Sequence, residues 1–282
     1  TFDWVYEEEF GLRDGFSWSP DGKHIAFFKL DESDTRDFAM TDFRTRYPEY
    51  ERFRYPKAGE VNSEIKIGVV DMGAVDPAAD TQTDAITYFE TQTWDPDLSK
   101  AEETTDPHEY LSRMGWTPAI DGTHHVWMFR MNREQNDLDV MYGNPEDGTL
   151  QTVLEETLDT YIDIEDGKLQ FLNDGEHFVY LSERTGYNHV HLYENDGDYL
   201  GPITDGKWEV TAFHGIDEER LLAYVTGTKK SSTERHLYRV GVSMSAHEAA
   251  MEEERISDDA GWHTINMSTD RRYSIDRHSS ID

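Results

Sequence analysis

Three consecutive carboxylates, Glu7-Glu8-Glu9, come directly after the segment Phe2-Asp3-Trp4-Val5-Tyr6. An aromatic and apolar segment of this kind packs and would hold those carboxylates in place. Two fixed carboxylates at the mouth of a cavity can bind an ammonium group, which offers three N–H donors to charge-assisted hydrogen bonds. Spacing alone does not single out this run. With 59 acidic residues in 282, acidic triplets arise by chance, and Asp217-Glu218-Glu219 and Glu252-Glu253-Glu254 are further examples.

Other chemistries find less support. Serine hydrolases on an α/β sheet expose the hydroxyl on a strained Gly-x-Ser-x-Gly turn. Gly15-Phe16-Ser17-Trp18-Ser19 and Gly241-Val242-Ser243-Met244-Ser245 both lack the closing Gly and sit in β-type context, so no catalytic residue is expected in this chain. The pairs His189/His191 and His124-His125 lack helical spacing and a convergent carboxylate, so they read as ordinary strand histidines and no metal is expected. Nothing singles out a carboxylate pair for glycoside hydrolysis. The absence of cysteine excludes disulfides, thiolate catalysis and Cys-ligated zinc. No cofactor is called for.

The elements that must position any such site are strands. Short β-type runs recur with turn chemistry between them, and no stretch sustains a 3.6-residue apolar period, so the chain reads as all-β. Trp18-Ser19-Pro20-Asp21-Gly22 leads into His24 to Leu30. Trp116-Thr117-Pro118 with Asp121-Gly122 leads into His125 to Met131, Phe171-Leu172-Asn173-Asp174-Gly175 into His177 to Leu181, and Met267-Ser268-Thr269-Asp270 into Arg272 to Ile275. Asp121 and Asp174 are separated by about one period of 40–50 residues, Asp21 and Asp121 by about two, and Asp174 and Asp270 by about two; this is the mark of a β-propeller with four-stranded antiparallel blades. Within one unit the strands are Gly175 to Leu181, Val190 to Glu194 and Tyr199 to Thr204, the last two joined by a tight hairpin at Asn195-Asp196-Gly197-Asp198. The count is about five blades with a partial sixth. Asp31 to Asn62 reads as a long excursion between strands, Asp76 to Asp84 and Asp95 to Thr105 as surface loops, and Ala246 to Glu254 as a short acidic helix.

Composition bounds the rest. Lys and Arg number 26 against 59 Asp and Glu, a formal charge of −33. No basic face is available to neutralise phosphates, which excludes a nucleic-acid partner. At 36% hydrophobic and 12% aromatic residues the chain can still bury a sizeable core. Its apolar runs, such as Ile25 to Phe28 and Ile67 to Val70, are far short of the roughly 20 residues of a membrane span. No Met and no basic and apolar leader open the sequence, so any targeting segment was removed or never included. A uniformly anionic chain suggests a high-salt habitat, where screening relieves self-repulsion.

The glutamate run and its neighbours carry a family resemblance. Asp3-Trp4-Val5-Tyr6-Glu7-Glu8-Glu9-Phe10, with Trp18-Ser19-Pro20-Asp21-Gly22 after it, resembles the double-glutamate segment of the dipeptidyl peptidase IV family. Tyr55-Pro56-Lys57-Ala58-Gly59-Glu60 with Asn62, Gly115-Trp116-Thr117-Pro118, Ser182-Glu183-Arg184 with Gly186-Tyr187-Asn188-His189, Trp208-Glu209-Val210-Thr211 and Arg235-His236-Leu237-Tyr238 resemble that family's propeller in order.

The resemblance implies an eight-bladed propeller that caps a C-terminal α/β-hydrolase domain, with residues 1–282 as its later blades. The triad would fall downstream of Asp282, leaving this chain inactive by itself. Carried over by position, the family's paired glutamates are Glu8 and Glu9, which bind the free α-ammonium of a peptide substrate. They act as a ruler that admits two residues before the scissile bond. The implied parent is a serine exopeptidase that removes Xaa-Pro or Xaa-Ala dipeptides and works in the periplasm or outside the cell. Its partners would be peptides with a free N-terminus, the hydrolase domain and, since the family commonly dimerises, a second copy. A Phe-Arg pair lining the pocket in mammalian relatives would align near Thr160-Tyr161-Ile162-Asp163, where neither residue is present, and Tyr161 is the candidate for the aromatic surface. A tripeptidyl peptidase on the same architecture and a non-catalytic propeller scaffold are the alternatives.

Overall fold

A computed structural model of the chain describes residues 3–79, 83–91, 108–245 and 249–280. The chain divides into two compact units, Thr1–Ile162 and Asp163–Asp282. The first opens with a short helix, α1 (Trp4–Glu8), and continues through β1 (Phe16–Trp18), β2 (His24–Asp31), β3 (Asp37–Asp42), β4 (Glu49–Arg54), β5 (Glu64–Asp71) and β6 (Ile86–Tyr88). Strands β1, β2, β5 and β6 lie side by side in that order as an antiparallel sheet, while β3 and β4 pair only with each other. The excursion read from the sequence is thus a hairpin arm between two neighbouring strands.

Strand β5 shows why these residues form a blade. Ile65, Ile67 and Val69 alternate onto a buried face, while Glu64 and Lys66 on the other face remain half-exposed. Each such buried aliphatic side chain stabilises the fold by about 1.5–3 kcal/mol.

The second sheet of this unit is a meander of β7 (His108–Ile120), β8 (Thr123–Asn132), β9 (Asp137–Gly143) and β10 (Leu150–Thr157). Asp121 and Gly122 join the first two strands with φ of 51° and 84°, and Ile120 and Thr123 are paired across them. Positive φ at both central residues is the twist-matched two-residue hairpin that Asp-Gly favours.

The second unit holds β11 (Leu169–Phe171), β12 (His177–Ser182), β13 (His189–Glu194) and β14 (Tyr199–Pro202) as one four-stranded meander. Strands β15 (Val210–Asp217), β16 (Leu222–Gly227), β17 (His236–Gly241) and β18 (Glu254–Arg255) form another. Val179, Val190 and Leu192 join Val210, Ala223, Val225 and Val240 in one buried cluster with Trp208. Strands β19 (Trp262–Met267) and β20 (Ser274–Ser279) pair as a two-stranded sheet. The four-stranded antiparallel sheets are of the propeller-blade type, and among the described residues no helix is long and apolar enough to cross a membrane.

Two expectations change. The distance from Asp21 to Asp121 corresponds to one sheet enlarged by the arm and by the segment after β5, not to two units. Among the described residues there are four four-stranded sheets and two two-stranded ones, one of which is the arm. The expected helix at Ala246 to Glu254 is not formed where the structure describes it: residues 249–253 have no helical hydrogen bonding, and Glu254 pairs in β18 with Arg239, whose Nη2 is 2.7 Å from its carboxylate. Residues 246–248 lie outside the described residues. So do those from Asp95 to Thr105 and residues 80–82 of the loop from Asp76 to Asp84, and after those a 3-10 turn forms at Thr83–Ala85.

Candidate functional site

Asp3 starts the glutamate helix. Its Oδ1 accepts from the backbone N–H groups of Val5 at 2.9 Å and Tyr6 at 3.3 Å, satisfying two donors that the first helical turn leaves unpaired. Its Oδ2 accepts from Ser63 Oγ at 2.5 Å, and Ser63 Oγ lies 3.3 Å from Thr35 Oγ1. All three residues are buried. The helix start is thereby tied to both roots of the hairpin arm, and Arg54 Nη1 closes those roots by donating to the Thr35 carbonyl at 2.5 Å.

The far end is held as firmly. Tyr6 is buried and packs against Phe10 and Tyr110 with ring centroids 5.4 and 6.1 Å away. Arg113 Nη1 donates to the Phe10 carbonyl at 2.7 Å. Trp4 stacks on Phe53 of the arm at 5.4 Å and meets Tyr55 edge-on at 5.2 Å. One face of five residues is thus committed to packing, which turns the acidic residues outward.

Glu8 is the last residue of α1 and is exposed. With Glu7 it lines a cleft of about 860 Å³ between the helix and the arm, walled by Trp4, Phe28, Leu30 and Phe53. Glu32 lies in the same cleft, and burial, then the nearby Asp3 carboxylate, push its carboxyl above the usual range.

Glu9 caps the helix with its N–H donating to the Val5 carbonyl at 2.8 Å. Its Oε1 accepts from Gln135 Nε2 at 2.8 Å and from Tyr161 Oη at 3.5 Å. The structure therefore brings Tyr161 to Glu9, where it shares Oε1 with Gln135, while Glu8 lines the cleft beside the arm. Sequence reasoning missed Gln135 and Arg113, which lie in a turn and a strand far along the chain and carry no motif of their own.

The histidines take interior roles. His189 is buried with its ring nitrogens 3.0 Å from Thr204 Oγ1 and 3.0 Å from the Gly206 carbonyl. His191 Nδ1 lies 3.1 Å from Tyr199 Oη, and burial, with smaller contributions from Arg184 and His189, lowers its pKa to about 3. His124 Nδ1 is 2.9 Å from the Thr117 carbonyl.

Comparison with known proteins agrees with this architecture. The model of the dipeptidyl peptidase IV (DPP IV) N-terminal region matches residues 1–282. Dipeptidyl peptidase 4 of Arthroderma otae is 28% identical over 255 residues, covering 84% of this chain and 29% of that protein. Dipeptidyl peptidase 4 of Trichophyton equinum is 25% identical over 280 residues, covering 97% of this chain and 33% of that protein. The crystal structure of Porphyromonas gingivalis dipeptidyl peptidase 4 superposes with a TM-score of 0.78 at 27% identity, over 99% of this chain and 35% of that one. The chain thus spans about a third of the length of these relatives. The family match runs over residues 1–282, and the blade architecture of the described residues accords with it: the chain belongs to the dipeptidyl peptidase IV N-terminal region family.

Proposed function

We propose that this chain is the substrate-anchoring part of a serine-type dipeptidyl peptidase that releases Xaa-Pro or Xaa-Ala dipeptides, and that Glu8 and Glu9 bind the peptide's α-ammonium. The observation that carries the reading is the state of Glu9. Its carboxylate stays exposed while Gln135 and Tyr161 donate to a single oxygen, which leaves Oε2 for a cationic ligand. An ammonium held there meets a carboxylate already oriented, so less freedom is lost on binding. Tyr161 supplies a half-exposed ring beside it.

The nucleophile, its base and the orienting acid belong to an α/β-hydrolase domain outside these residues, and the chain alone is inactive. Peptides with a free N-terminus, that domain and a second copy are its partners, in the periplasm or outside the cell. The charge of −33 fits a high-salt setting.

The test is dipeptide release from a Gly-Pro chromogenic substrate by the full-length protein, native and with Glu8→Gln plus Glu9→Gln. The double variant is expected to lose about a hundredfold or more in kcat/KM, the scale of losing charge-assisted bonds to a cation. Release of tripeptides would instead identify the longer ruler, and a folded, inert native protein would identify a scaffold.

A further inference from the structure

Gln135 is an outlier twice over. Its backbone lies in the left-handed region with φ of 55°, which side chains other than Gly, Asn and Asp seldom adopt. The residue is buried, at 8% exposure, and its Oε1 is enclosed without a hydrogen-bond partner among the described residues. Both features cost free energy, and a fold that keeps two such costs at one residue commonly keeps them for function.

The same residue makes three bonds that matter to the site. Its Nε2 donates to Glu9 Oε1 at 2.8 Å. Since a carboxylate only accepts, the amide must present its nitrogen there, and this choice is what leaves Oε1 unmatched. Its backbone N–H donates to the Asn132 carbonyl at 3.1 Å, closing the turn between β8 and β9. Its carbonyl accepts from Ile162 N–H at 2.8 Å, and the preceding residue, Tyr161, donates its hydroxyl to the same Glu9 oxygen. The left-handed turn lets one residue aim its side chain at Glu9 and its carbonyl at the Tyr161 segment.

The geometry points to Gln135 as the positioning residue of the ammonium anchor: it fixes which Glu9 oxygen faces the ligand and keeps Tyr161 beside it. Gln135 does not touch the substrate. It acts through Glu9, so its removal weakens capture of a free α-amine and leaves the chemical step alone. The inference rests on Glu9 as the anchor.

The test uses full-length protein carrying Gln135→Gly, Gln135→Asn or Glu9→Gln. Gly and Asn both accept the left-handed backbone, so the turn and the fold persist. Asn retains an amide but is one methylene too short to reach Glu9. KM and kcat for Gly-Pro p-nitroanilide are measured with the calorimetric Kd of glycyl-proline amide, which needs no turnover. The expected result is an increase of about tenfold in KM and Kd for both Gln135 variants, the scale of one bond to a charged group, with kcat within about twofold and an unlowered thermal midpoint. A residue that merely fills the turn would be rescued by Asn. Native KM and Kd in Gln135→Asn therefore overturn the inference, as do unchanged values in Gln135→Gly when Glu9→Gln raises both. If Glu9→Gln itself changes neither, the anchor reading is overturned and this inference falls with it.

Discussion

Asp3 and Ser63 meet through a 2.5 Å hydrogen bond although 60 positions separate them. One carboxylate oxygen of Asp3 starts the helix that carries Glu8 and Glu9, and the other holds the strand that returns from the arm. A single buried side chain thus ties the start of the glutamate helix to the sheet.

Replacing that side chain tests the arrangement. Asp3→Ala removes the helix cap and leaves Ser63 without this acceptor, and is expected to cost about 1–2 kcal/mol. Urea unfolding of native and variant chains measures it. Asp3→Asn, which can still accept from the backbone, is expected to lose less.

Glu32 predicts a pH-dependent gain. Its carboxyl is raised above the usual range, by burial first and the Asp3 charge second. The folded state therefore holds the Glu32 proton more tightly than the unfolded state. The stability contribution is complete below the unfolded value and is lost as pH rises through the folded one. Glu32→Gln removes that loss: its thermal midpoint should exceed the native one modestly at neutral pH, and the difference should vanish in acid.

His191 has the opposite dependence. Buried as the neutral ring, it has a pKa lowered to about 3, so on acidification the unfolded chain takes up this proton first. Its contribution is intact above the ordinary imidazole value and declines as pH falls from there towards about 3. His191→Phe keeps an aromatic ring in place and should flatten that part of the urea-midpoint profile. Parallel native and variant profiles would show that His191 does not contribute to it.

Salt predicts the behaviour of the whole surface. A formal charge of −33 repels itself at low ionic strength, and screening shortens the reach of that repulsion to about 3 Å at 1 M salt. The thermal midpoint of the chain is expected to climb by several degrees between low and molar KCl. A flat profile would remove the high-salt reading.

Much of the blade pattern is legible in the sequence because each turn has its own local chemistry. Asp121-Gly122 marks the β7–β8 hairpin, and Asn195 to Asp198 marks the turn where Gly197 N–H donates to the Glu194 carbonyl at 3.0 Å. The inserted arm misleads the count, since its length imitates one more period between Asp21 and Asp121. The acidic run before β18 resembles a solvated helix until Arg239 supplies a cross-strand partner for Glu254. Glu8 and Glu9 are named as candidates through their motif. Gln135 is not, because its part depends on a left-handed turn and a partner 126 positions away, neither of which leaves a local signature.

The hairpin arm leaves and re-enters its blade at facing residues, for Asp31 and Glu64 are partners in the β2–β5 register. The sheet hydrogen bonds of β2 and β5 are therefore complete without it, and a short turn could join the two strands. The arm is an interchangeable module whose length and tip can diverge without cost to the blade, provided that its root keeps Thr35, Ser63 and Phe53 against the glutamate helix. Phe43 and Tyr47 at the tip are exposed, away from the root that holds the glutamate helix.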